Sequence, residues 1–90
     1  MSEDDPAGKV TDFFWKRNTV RIEVLDGTIE NGDDLHVTGE YTDVDLTVED
    51  MEVDGAPVDE AKEGEILAMD VDPGDRVVLG DKVYHRGDDE

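Results

Sequence analysis

Aromatic and cationic side chains crowd one short stretch of this chain. Phe13, Phe14 and Trp15 run directly into Lys16 and Arg17, with Lys9 before them and Arg21 just after. Flat π-faces beside cations suit stacking on unpaired bases while phosphates are neutralised. Two arrangements are open. In one, Phe13, Trp15, Lys16, Arg17 and Arg21 form a binding surface. In the other, Phe13 or Phe14 belongs to the core, Trp15 covers one mouth of the fold, and the cations pair with surrounding acids. Consecutive strand side chains point to opposite faces, so Phe13 and Phe14 cannot both face one core. At least one of the three aromatics should be exposed.

The other residues that could do chemistry are less well placed. Asp70-Val71-Asp72-Pro73-Gly74-Asp75 has the look of a calcium loop, but the glycine and third acid are swapped. Asp81 also stands where a bidentate glutamate is needed, so a β-turn between strands is the expectation. His36 and His85 lack ligand-like spacing and are expected on strand faces. The lone serine is Ser2 and there is no cysteine, which leaves no serine triad and no thiol nucleophile. Paired carboxylates abound, as chance alone dictates in so acidic a chain. No Gly-x-x-x-x-Gly-Lys-Ser/Thr phosphate loop occurs, so GTP binding is not expected. The expectation is a non-enzyme without cofactor or metal.

Acids outnumber bases 27 to 8, a formal net charge of −19. Such a balance fits disorder, an acidic tail for basic partners, or life in concentrated salt. The acids are spread along the chain, which argues against a tail, and a regular apolar pattern argues against disorder. Short Asp carboxylates with few lysines suit a folded halophilic surface, where screening cuts repulsion to a range of about 3 Å at ~1 M salt. The fold should therefore loosen as salt is removed. The first residues lack the charged and apolar regions of a secretory signal, and no apolar run is long enough to span a bilayer. A cytoplasmic, membrane-free protein is expected.

The elements that must position these residues show a period of two. Val20, Ile22 and Val24 alternate with polar neighbours, as do Leu35 and Val37, then Val44, Leu46 and Val48, then Leu67, Met69 and Val71. Half-buried antiparallel strands read this way. Turn signals at Asp26-Gly27, Asn31-Gly32, Asp54-Gly55, Pro73-Gly74 and Gly80-Asp81 separate them. Strands are expected near 8–14, 19–25, 34–39, 43–48, 50–54, 65–71 and 82–86. The apolar phase changes from even (Val44, Leu46, Val48) to odd (Met51, Val53), which demands a bulge or bend near Glu49-Asp50. Bends of this kind turn barrel corners. The reading is all-β: a small closed antiparallel β-barrel of six to seven strands over residues 8–86. Acidic disordered ends are expected at 1–7 and 87–90, and a single helical turn at Val58–Lys62.

Four stretches resemble the second domain of the translational GTPases, the β-barrel after the nucleotide domain in elongation factor Tu. They are Gly8-Lys9-Val10, the run from Gly27 to Gly39, the run from Val48 to Gly55 with Glu60–Glu65, and Arg76–Tyr84. The pattern is most similar to small elongation-factor-like proteins built from this barrel alone. The resemblance implies a translation-factor-type barrel that binds RNA, the ribosome or a translation-related protein. The alternative is a general protein-interaction barrel, a detached accessory domain of an RNA-modifying or peptidase-type enzyme.

Overall fold

The computed structural model describes residues 6–72 and 74–85. Ten strands form in chain order: β1 Gly8–Phe14, β2 Thr19–Val24, β3 Thr28–Glu30, β4 Asp34–Thr38, β5 Asp43–Thr47, β6 Glu52–Val53, β7 Ala56–Pro57, β8 Glu60–Lys62, β9 Ile66–Asp70 and β10 Lys82–His85. Among the described residues there is no helix. The expected acidic ends lie mostly outside the described residues, as do Pro73 and Arg86.

Eight strands make one sheet in the order β5-β4-β10-β1-β2-β9-β6-β7, and β3 pairs with β8 separately. Every pairing is antiparallel. The alternation places Val10, Val20, Ile22, Val24, Leu35, Val37, Leu67 and Val83 on the inward face, where all are essentially inaccessible to solvent. These side chains and those of Ile29, Val48, Met51 and Ala61 join in a single cluster. An open sheet meets one core from nearly all its strands only by curling around it. The hydrogen-bonded ladder itself does not close: its outer strands are β5 and β7. The closed barrel of six to seven strands is thus not found in the pairing, which runs through eight strands and stops at two edges.

The phase change after β5 is built as a bend. Val48 and Met51 are both buried, while Glu49 and Asp50 project outward between them. Asp50 takes φ 53°, a left-handed conformation that few residues other than glycine, Asn and Asp tolerate. The Asn31 side chain pins the corner, since its Nδ2 donates to the Val58 carbonyl at 3.2 Å and its Oδ1 accepts the Met51 N–H at 3.2 Å. The chain leaves one edge of the ladder at β5 and returns beside β9 as β6. Asp54 and Gly55 then both have positive φ, as a tight two-residue hairpin from β6 to β7 requires.

The helical turn expected at Val58–Lys62 does not form; Glu60–Lys62 is strand β8. Ala61 lies opposite Ile29 in the β3–β8 pair and both are buried, while Glu60 and Lys62 point outward. One apolar residue between two charged ones fits a strand face, and burying Ala61 against Ile29 outweighs the weak helical preference of Glu-Ala-Lys.

Candidate protein-docking face

The β1–β2 hairpin carries the aromatic and cationic cluster, and a bulge decides which aromatic faces out. Val10 pairs with Ile22, but Asp12 pairs with Arg21, leaving Thr11 without an opposite residue. The extra residue inverts the phase of the rest of β1. Phe13 therefore lies opposite buried Val20 and packs against the core, whereas Phe14 lies opposite Thr19 on the outer face. An unbulged strand would have reversed them. Phe13, expected on the binding surface, contributes only a half-buried edge to it, and Phe14 takes the outward place.

Trp15 and Phe14 are 61% and 39% exposed. The Lys16 ammonium stands 5.5 Å from the centroid of the Trp15 ring, and the Arg21 guanidinium 5.3 Å from that of Phe14. Each cation–π contact contributes about 0.5–1 kcal/mol at an exposed site. In register Arg21 sits opposite Asp12, yet it leans over Phe14. Among the described residues, no carboxylate comes within ion-pair distance of Arg17 or Arg21. Among the described residues, the expected pairing of these cations with nearby acids is therefore not found for either arginine.

Cross-strand rows on the outer face shape a hollow beside the hairpin. One row runs Arg21, Ala68, Glu52 across β2, β9 and β6; the next runs Phe14, Thr19, Asp70. Ala68 is short, so the surface dips between Arg21 and Glu52. Adjacent strands lie about 4.8 Å apart, which sets the backbones carrying these two side chains roughly 10 Å from one another. The hollow holds about 360 Å³, with Arg17 and Arg21 on one side and Glu49, Asp50 and Glu52 on the other. Asp70, which also lines it, accepts a hydrogen bond from Thr19 Oγ1 at 2.9 Å. A second, shallower hollow of about 590 Å³ lies between Phe13, Trp15 and the cations, and shares Phe14, Arg17 and Arg21 with the first. Trp15, Lys16, Arg17 and Arg21 are thus brought together as expected. Phe14 and the carboxylate wall were missed by sequence reasoning; the inverted phase left no local signal, and the wall comes from residues 28 to 38 positions from Phe14, Arg17 and Arg21.

The remaining candidates fall elsewhere. His36 on β4 lies opposite Asp45 on the edge strand β5; its Nδ1 is 2.7 Å from Asp45 Oδ1 and its Nε2 3.1 Å from Asp43 Oδ1. His85 Nε2 is 3.3 Å from Asp33 Oδ2. Both histidines are on strands, and both contact carboxylates, which no spacing rule could have shown. After β9, the Asp75 N–H donates to the Asp72 carbonyl at 2.9 Å; Pro73 of this stretch lies outside the described residues. Among the described residues, no group of three or more His, Asp or Glu is arranged to hold a metal. Tyr41, Val78 and Leu79 form a second exposed apolar patch around the turn after β4.

No protein-family model matches this chain, and no curated protein is similar to it in sequence. Two solved structures share its fold. The C-terminal domain of a Geobacillus thermoleovorans putative U32 peptidase superposes with a TM-score of 0.84 at 14% identity, over 97% of this chain and 98% of that one. The selenomethionine variant of the same domain gives 0.78 at 16% identity, over 89% and 98%. This finding overturns the resemblance to the second domain of elongation factor Tu: the similar structures are those of a peptidase's C-terminal domain, and no family model supports a translation factor. At such identities the likeness is one of fold alone.

Proposed function

We propose that this chain is a non-catalytic protein-interaction module, an accessory domain serving a peptidase-type enzyme, which docks through the outer face of its β1–β2 hairpin. The observation that carries the reading is the exposed pair Phe14 and Trp15, each covered by a cation, beside two arginines that no acid of the described residues neutralises. Aromatic and arginine side chains dominate binding energy at protein interfaces. The fold likeness supports the accessory role, because the similar structures are the end domain of a protein named for peptidase activity.

The curled sheet is taken as a barrel opened along one seam, because one core cluster gathers side chains from nearly every strand and the bend at Val48–Met51 links the two sides of the sheet. Its acid coat suits a cytoplasm of concentrated salt. Affinity capture from the source cells in ~3 M KCl, where only contact-range electrostatics persist, tests the role. The expected result is one discrete protein complex, lost when Trp15 and Arg21 are both replaced by alanine. Recovery of ribosomal particles or tRNA, or equal recovery by both proteins, overturns it.

A further inference from the structure

We infer that the occupant of the hairpin face is an extended acidic segment of a protein, with carboxylates alternating with apolar side chains, rather than a nucleic acid. This deepens the docking role above and rests on it. Three cations, Lys16, Arg17 and Arg21, stand together on a molecule whose net charge is −19, which makes this face the local exception to its charge. Two guanidiniums that no carboxylate of the described residues reaches within ion-pair distance offer paired donors for a partner's carboxylates. Arginine binds that group in bidentate fashion, at about 2.8 Å. Groups in direct contact leave no room for ions between them and are screened less than separated charges, so such contacts persist where long-range attraction does not.

The opposite side of the hollow decides between partner classes. Glu49, Asp50 and Glu52 face the arginines across the gap made by Ala68. A polynucleotide carries a charge on every residue, so a strand stacked on Trp15 and Phe14 and held by the arginines would press its next phosphates against these acids. A peptide escapes this clash. It can present acids to Arg17 and Arg21, an apolar side chain between Phe14 and Trp15, and a basic or neutral residue to the wall. The wall therefore excludes uniform polyanions and tolerates mixed-charge segments, which is specificity by repulsion as well as attraction.

Trp15 is the single tryptophan and lies in the face itself, so its emission reports occupancy directly. The probes are a blocked peptide Glu-Leu-Glu-Leu-Lys, its charge-swapped form Lys-Leu-Lys-Leu-Glu, and a short oligouridylate, each titrated in concentrated KCl. The inference expects a saturable blue shift with the acidic peptide alone, weakened about tenfold or more when Arg17 and Arg21 are both replaced by alanine. The variant's unchanged circular dichroism spectrum shows that it folds. Saturation by the oligouridylate, equal response to both peptides, equal binding by the variant, or no response to the acidic peptide overturns the inference. So does a concentration-dependent dimer abolished in the variant, which assigns the face to a second copy. If hairpin-dependent capture of a protein succeeds while the peptide fails, the docking role stands and only the chemistry assigned to its partner falls.

Discussion

Replacing Gly39 by alanine should unlatch the turn that launches β10, and the loss can be worked from the structure. A Cβ on Gly39 would overlap Oδ1 of Asp81 and lie 2.8 Å from its Cγ. Asp81 has little room to move: it is buried, and its Oδ2 accepts the Val78 N–H at 2.7 Å. Displacing the carboxylate breaks a hydrogen bond to a charged group, worth about 1.5–3 kcal/mol, and leaves a part-buried N–H without that acceptor. With some relaxation, a loss of about 2–3 kcal/mol follows, or a fall in melting temperature of ~10–20 °C for a domain this size. Asp81→Ala should cost a similar amount by removing the same acceptor. On that background Gly39→Ala meets no carboxylate and should cost under about 0.5 kcal/mol, so the two changes are strongly coupled. Thermal and urea melts followed by circular dichroism measure all four corners of the cycle. A Gly39→Ala protein as stable as the parent, or costs that simply add, would refute the latch.

Other expectations test the hairpin, the bend and the surface. Phe13→Ala should cost about 2–3 kcal/mol and Phe14→Ala under about 1, because only the first packs on the core; urea melts showing equal costs would deny the bulge at Thr11. Asp50→Val should destabilise by about 1–2 kcal/mol through its left-handed backbone, while Asp50→Gly stays near neutral; a neutral valine in the same melts would mean the corner is built otherwise. Among the described residues the close acid pairs all involve histidine, so the carboxylates rely on salt to screen their repulsion. Melting temperature should fall by more than ~10 °C between about 3 M and 0.1 M KCl, and a flat profile would remove the halophilic reading.

Much of the sheet was legible because burial imposes a period of two. β2, β4, β5 and β9 sit where alternating Val, Leu, Ile and Met predict them, and the even-to-odd switch between Val48 and Met51 marks the bend. Short strands escaped for a physical reason: β3 and β8 each bury one residue, Ile29 and Ala61, and one residue has no period. Their pairing is a tertiary fact. The bulge at Thr11 also left no local mark, since Val-Thr-Asp-Phe-Phe satisfies either phase until β2 supplies the register. That is why Phe13 was read as a surface residue; Trp15, Lys16 and Arg17 lie in the turn after β1, and Arg21 lies on β2. Closure of the sheet was over-read, because the bend joins the strands covalently without a final ladder. The translation-factor resemblance rested on glycine–acid turns, which many small β folds need for positive φ. Such turns report geometry shared across families, and so they carry little information about function.

A photo-crosslinking side chain placed at Phe14, compared with one at Tyr41, tests the docking role most directly. Both positions are exposed, but only Phe14 belongs to the hairpin face. Illumination in concentrated KCl should yield one discrete protein adduct from position 14 and none of the same mass from position 41. An RNA adduct at position 14, or identical products from the two positions, would contradict the account.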